Sequence, residues 1–374
     1  MVKLNPLLLS LLIALPTQAQ TRFNMTSGVT DISQKVYGLH MTIFLICVAI
    51  GVIVFGIMLW AIIHHRKDKG VQAAQFHEST KVEILWTLIP FVILIIMAIP
   101  ATRTLIAMED ASQSDLTVQV TGSQWKWHYS YFEQDVDFYS LIGTLPEQIQ
   151  GKAAKGENYL LEVDWPLVLP TDRKIRFLIT SDDVIHSWWV PAFAIKKDAV
   201  PGFINEAWTR INEPGIYRGQ CAELCGKNHG FMPIVVQAKS GAEFDTWLAD
   251  AKAKQLQAKA DEQAQLATQM TMDELMATGE QVYLRICAAC HQANGEGLPG
   301  AFPPLKGSQL ILKDKAAHLH IVLFGKAGTA MQSFDKQLSA KELAGVITYE
   351  RNAWGNDTKD LVQPSDIEQA RNGQ

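Results

Sequence analysis

Cysteine is scarce in this chain, with five residues among 374. So few cannot build a disulfide framework for a protein of this size. An excess of positive charge is also missing. The net charge is -5 and the isoelectric point lies near 6.1, which argues against a nucleic-acid partner. Four of the five cysteines nevertheless fall in two tight pairs, Cys221 with Cys225 and Cys287 with Cys290. The fifth, Cys47, lies inside an apolar run and reads as a small buried hydrophobe.

Apolar runs are plentiful near the N-terminus. Residues 1–19 read as an export signal: Lys3 supplies a positive start, "PLLLSLLIALP" a short apolar core, and "TQAQ" a cleavage point after Ala19. A transmembrane hairpin is expected over 20–114. Its spans are "MTIFLICVAIGVIVFGIMLWAII" at about 41–63 and "ILWTLIPFVILIIMAIPA" at about 84–101. At 1.5 Å per residue, about 20 apolar residues cross a hydrocarbon core of roughly 30 Å. The intervening loop carries Arg66, Lys67, Lys69 and Lys81, which places it on the cytoplasmic side. Everything after about residue 102 then lies outside, so the expected location is a bacterial inner membrane, multi-pass, with the later domains on the periplasmic side.

Residues 115–240 change character. "LTVQVTGSQWKWHYSY", "KIRFLIT", "EAWTRI" and "PIVVQAK" are short β-rich stretches separated by "VPGF" and "NEPG". A small antiparallel β-sandwich or barrel is predicted. Residues 241–270 are rich in Ala, Gln and Lys and predict a helical linker with little core of its own. "TMDE" at 271–274 and "SAKE" at 339–342 are capping-box patterns. They frame a second, helical domain over 271–355. Residues 356–374 read as a loose polar tail.

The first cysteine pair sits in "QCAELCGKNHGFMPI" at 220–234, and "SDDVIHSWWVP" places His186 upstream. Thiolates suit copper, zinc or iron–sulfur clusters. The spacing is not a zinc C-x-x-C pair, and the thioether of Met232 suits copper rather than zinc. Two thiolates exceed what a one-copper electron-transfer site needs, so two coppers bridged by both sulfurs are expected. The bland alternative is a disulfide between Cys221 and Cys225. The second pair, "CAACH" at 287–291, is the attachment signature of c-type haem, with His291 as axial ligand. A thioredoxin-like pair would not need His291. For the opposite axial position Met331, in "GKAGTAMQSF", is favoured over His318 and His320, which lie in a helical run.

At these residues a family resemblance emerges. "CAELCGKNHGFMP" with "DVIHSWWVP" resembles the binuclear copper (CuA) site of subunit II of cytochrome c oxidase, over about 41–240. The resemblance implies a cupredoxin-like all-β domain in which Cys221 and Cys225 bridge both coppers. His186 and Met232 would complete one copper, and His229 with the Glu223 carbonyl the other. The Glu223 side chain would face a magnesium site shared with subunit I. "GSQWKWHYSY" implies electron uptake at Trp125, although Trp125 and Trp127 alternate on one strand face as core residues do. "VEILWTLIP" implies a proton pathway at Glu83, which otherwise reads as an interfacial charge at a helix start. Phe203 in "AVPGFIN" replaces the basic residue usual in the family and weakens any haem-propionate contact there.

Residues 271–355 resemble a class I cytochrome c, all-α, with "FPPLKGS" as its histidine-side loop and "LSAKELAGVITYERNAWGN" as its last helix. Gly279 would let the first helix cross that last helix closely. A CuA domain with an attached cytochrome c resembles subunit II of the caa-type oxidases. The implied partners are oxidase subunits I and III and a donor such as cytochrome c. Dioxygen reduction and proton translocation would belong to subunit I. Two readings from other classes remain: the copper subunit of a nitric oxide reductase, and an anchored carrier serving several partners. Glu83 and Glu223 argue against the carrier, which needs neither group at a subunit I contact.

Overall fold

The computed structural model describes residues 24–72, 75 and 77–373. The expected export signal, with Lys3 and Ala19, lies outside the described residues. The chain forms two compact units, one of residues up to Met108 together with Pro191–Ala194, the other of the remainder.

The first unit contains two long helices, α1 (Asp31–His64) and α2 (Thr80–Glu109). Both extend well beyond the apolar spans. At 34 residues α1 is about 51 Å long, more than a bilayer core needs. Thr30 caps α1 by accepting from the Ser33 amide at 3.0 Å, and Ser33 Oγ accepts from the Thr30 amide at 2.9 Å. No residue in the apolar stretch of either helix is buried within the protein, which suits a lipid-facing helix. Cys47 is therefore exposed, not buried in protein as its apolar surroundings suggested.

The second unit begins with a β-sandwich of two five-stranded sheets. The strands are β1 (Leu116–Ser123), β2 (Lys126–Tyr131), β3 (Val136–Ser140), β4 (Leu167–Pro170), β5 (Ile175–Ser181), β6 (His186–Val190), β7 (Ile195–Ala199), β8 (Asn205–Thr209), β9 (Gly215–Cys221) and β10 (Pro233–Lys239). One sheet runs β3-β2-β1-β5-β8 and the other β4-β10-β9-β6-β7. The sheets are mixed, which corrects the antiparallel expectation: β1 pairs with β5, and β10 with β4, in parallel. Such neighbours are joined by long connections rather than hairpins, and these leave no local signature. Alternating positions such as Val118, Val120, Phe177 and Ile179 are fully buried between the sheets, with Trp127, Tyr129 and Trp188. Each large apolar side chain so buried contributes about 1.5–3 kcal/mol. Two polar stitches cross the sandwich. The Tyr131 hydroxyl donates to Val168 O at 2.7 Å, and the Trp188 indole donates to the Tyr129 hydroxyl at 3.3 Å.

A four-residue turn of helix, Pro146–Ile149, lies between β3 and β4, and helix α3 (Gly241–Leu266) follows the sandwich. Phe244 is buried, and Trp247 packs on Tyr131 with ring centres 5.3 Å apart. The predicted linker is thus anchored on the sandwich at its start. The C-terminal region holds α4 (Met272–Val282), α5 (Gln309–Lys313), α6 (Lys315–Phe324), α7 (Ala340–Asn352) and α8 (Pro364–Asn372). Both predicted capping boxes form, at Thr271 with Glu274 and at Ser339 with Glu342. A Cβ on Gly279 would lie 2.1 Å from Gly345 O, so α4 and α7 cross backbone to backbone.

The expectation of a loose tail is overturned. Val362 and Ile367 are fully buried, and the Gln363 side chain pairs with both backbone groups of Met270, at 2.8 and 2.9 Å. Arg371 reaches Asp335 at 2.6 Å. Two apolar residues spaced five apart in a polar segment were enough to dock it, and so sparse a pattern is not periodic.

Candidate metal centres

Strand β9 ends at Cys221, β10 begins at Pro233, and the cysteine-rich turn spans the gap between them. Strand β6 lies beside β9 and starts at His186, with Trp188 opposite Cys221. The sheet register therefore brings His186 to the turn from 35 residues away. Its fully buried ring lies over Gly122 of β1, where a Cβ would come within 2.9 Å of it.

The potential ligands converge. The two sulfurs are 3.8 Å apart, far beyond the roughly 2.05 Å of a disulfide. Cys221 Sγ lies 3.9 Å from His186 Nδ1 and 3.4 Å from the Glu223 carbonyl oxygen. Cys225 Sγ lies 3.5 Å from both His229 Nδ1 and Met232 Sδ. Metal bonds of about 2.0–2.3 Å in near-tetrahedral geometry place ligand atoms roughly 3.3–3.8 Å apart, so this spacing fits metal held among these atoms. The donors are soft sulfur and imidazole, the set that suits copper.

Asp183 organises one side. Its carboxylate faces His186 Nε2 at 2.9 Å and accepts from the Gln124 amide at 2.7 Å and the Val184 amide at 2.6 Å. Holding the Nε2 proton there leaves Nδ1 as the lone-pair nitrogen facing the sulfurs. Burial is the largest single influence and opposes a charge on His186, but the bonds and charges of Asp183 and Cys221 together outweigh it and raise the pKa. Between the sulfurs, Cys225 acts as hydrogen-bond partner to Cys221. It lowers the Cys221 pKa against the opposing effect of burial, while Cys221 pushes Cys225 up.

Trp125 lies between β1 and β2. It is half-buried, and its indole donates to the Cys225 carbonyl at 3.2 Å, so it is tied to the turn. Trp127, its alternating partner, is fully buried and donates to Met232 O at 3.3 Å. The Glu223 side chain is exposed. Glu83, in the other unit, stands exposed on the first turn of α2 in a shallow groove lined by Thr80, Ile84, Thr87, Leu88 and Phe91.

In the C-terminal region Cys287 ends a one-turn π-helical bulge, Tyr283–Cys287, and Cys290 and His291 follow in a turn of helix. His291 Nδ1 lies 2.9 Å from the Pro303 carbonyl, an acceptor only, so Nδ1 carries the proton and Nε2 is free for iron. That tautomer, with two unpaired thiols beside it, fits a c-type haem. Burial pushes both thiols up, with Glu350 adding to the effect at Cys287. Met331 and Cys287 pack against the same core cluster. His318 is buried, with Nε2 2.8 Å from Glu350 and Nδ1 lacking a protein partner. Asp183, Gln124, Pro303 and Glu350 were not singled out by residue type or spacing. Only Asp183 carried a signal, three residues ahead of His186.

Residues 116–239 match the family described as "Cytochrome C oxidase subunit II, periplasmic domain". Residues 16–104 match its transmembrane domain, and 274–349 match "Cytochrome C oxidase, cbb3-type, subunit III". A "Probable cytochrome c oxidase subunit 2" of Rickettsia prowazekii is 42% identical over 222 residues, 59% of this chain and 69% of the relative. One of the same description from Rickettsia bellii is 40% identical over 222 residues, 59% of this chain and 80% of the relative. The crystal structure of the periplasmic domain of subunit II of cytochrome oxidase from Bradyrhizobium japonicum is 39% identical. It covers 38% of this chain and 98% of its own, with a TM-score of 0.35. With two cysteines, two histidines and a methionine gathered at the β9–β10 turn, a C-x-x-C-H segment in a helical region after it, and these family matches, the chain belongs to the cytochrome c oxidase subunit II family and carries a fused cytochrome c domain.

Proposed function

We propose that this chain is the electron-transfer subunit of a respiratory haem-copper oxidase, taking electrons from cytochrome c or another donor and delivering them to subunit I. The observation that carries this is the convergence of Cys221, Cys225, His186, His229, Met232 and the Glu223 carbonyl on one turn. Those residues would hold the binuclear copper, their soft sulfur and imidazole donors suiting that metal. His186 and Met232 would serve one copper, and His229 with Glu223 O the other. Cys287 and Cys290 would hold haem c covalently, with His291 and Met331 on the iron. When bound, these groups supply one-electron storage at two neighbouring places.

The chain's own part is to keep the ligands still. His186 is clamped by Asp183 and enclosed between strands, and Cys221 ends a paired strand. Ligands that do not rearrange make each electron transfer inexpensive. Trp125 would receive external electrons beside Cys225. The Glu223 side chain would contribute to magnesium at the boundary with subunit I, and Glu83 to a proton pathway. Leu224, Phe203 and Ile204 are exposed apolar residues, which suits contact with subunits I and III. Dioxygen reduction and proton translocation would occur in subunit I. The two apolar helices suit a bacterial inner membrane, with the later domains on the periplasmic side.

The test is to purify the complex and measure copper, haem type and oxygen uptake together. The expected result is two coppers sharing one unpaired electron by paramagnetic resonance, and a haem-staining band on denaturing gels. A single-copper hyperfine pattern, or an unstained band from cells competent in haem attachment, counts against it.

A further inference from the structure

The haem-type domain and the sandwich meet at Gln332, one residue after Met331. Its Nε2 donates to the Gln124 carbonyl at 2.9 Å, and its Oε1 accepts from Lys126 Nζ at 2.8 Å. Gln124 then turns the other way: its own Nε2 donates to the Cys225 carbonyl at 2.7 Å. Two loops that carry metal ligands are thus joined through two glutamines. Lys126 is 5% exposed, and its ammonium lies 5.7 Å from the ring centres of both Tyr139 and Phe334, one from each domain. A buried lysine enclosed from both sides marks a specific, desolvated contact, because such a group is left in contact with water unless its partners are fixed.

We propose that Gln332 is the positioning residue that sets the register of the cytochrome domain on the copper domain. Through its bond to Gln124, it also makes the run Met331–Gln332–Gln124–Cys225 the covalent and hydrogen-bonded route between the two ligand sets. The fused domain is then a donor held at a fixed address, and the route bypasses the Trp125 indole. The electron-transfer half rests on the copper and haem reading above. The docking half does not, since the contacts belong to the protein alone.

Lys126 is its own reporter. Burial lowers its pKa to about 8, against the pull of Asp183 and Asp182. A larger fraction of free amine would speed acylation if reagent could reach it, so slow labelling reports enclosure. In the intact complex, site-resolved mass spectrometry should show Lys126 acylated far more slowly than the exposed Lys254. Gln332→Leu removes both side-chain bonds and should raise Lys126 labelling about tenfold. It should also slow the electron step from haem to copper by a similar factor, with haem and copper content unchanged. Gln332→Glu keeps the acceptor for Lys126 but loses the donor to Gln124. It should restore slow labelling without restoring the transfer rate. Lys126 labelling at the rate of Lys254 in the unaltered complex overturns the docking contact. Full recovery of transfer in Gln332→Glu overturns the role of the bond to Gln124. Missing copper or haem would instead undo the functional reading and leave the labelling result standing.

Discussion

A single change at Asp183 tests the proposed copper site. Asp183→Ala removes the acceptor for three donors at once: His186 Nε2, the Gln124 amide and the Val184 amide. His186 is fully buried, so its Nε2 cannot turn to water instead. Leaving the buried His186 donor unpaired costs about 1–3 kcal/mol, whereas the more exposed Gln124 and Val184 amides can turn to water. The effect on metal should be larger than on folding, because the lost carboxylate also fixes which nitrogen faces the sulfurs. Removing an outer-shell partner of a metal-bound histidine typically lowers affinity about 10–100-fold. Asp183→Asn keeps the Oδ1 acceptor for His186 and Val184 but turns an amide nitrogen towards the Gln124 N–H, so it should fall between. Competition titration of copper against a chelator, on the full chain, measures affinity. Denaturant unfolding of metal-free protein measures stability separately. An Asp183→Ala protein that loses stability but binds copper within about twofold of the parent would refute the orienting role.

Further outcomes are expected elsewhere. Gly279→Ala forces a Cβ to 2.1 Å from Gly345 O, and should destabilise the C-terminal domain by about 3 kcal/mol; a melting temperature within about 2 °C of the parent refutes the close crossing. Lys126 titrates near 8 when folded and 10.5 when free, so the unfolded chain binds more protons between those values and stability rises with pH across that window. Relative to Lys126→Met, the parent should gain on the order of 3 kcal/mol from pH 8 to 10.5, read as the difference between their denaturation curves; parallel curves refute the burial argument. Deleting residues 271–374 should leave copper bound and activity with small artificial donors intact, while activity with the natural donor is lost. Trp125→Ala should slow external electrons reaching copper, followed by stopped-flow absorbance; an unchanged step makes Trp125 a core residue.

Both cysteine-containing motifs were legible from sequence because most of their residues are local, whereas His186 and Met331 stand farther along the chain. Cys221, Cys225, His229 and Met232 occupy one turn, and Cys287, Cys290 and His291 one stretch of helix. Helix starts at Thr271 and Ser339 were legible for the same reason, since a capping box closes within four residues. Tertiary structure decided what depends on distant chain. The parallel β1–β5 and β4–β10 pairings, the Asp183 clamp reaching back to the Gln124 amide, and the burial of Val362 and Ile367 all join residues without sequence periodicity. The same holds for Lys126 and Gln332, two ordinary polar residues 206 positions apart, which acquire meaning only when two domains enclose them. Short-range chemistry is written in residue type and spacing, whereas long-range contacts are set by which surfaces the folded layers bring together.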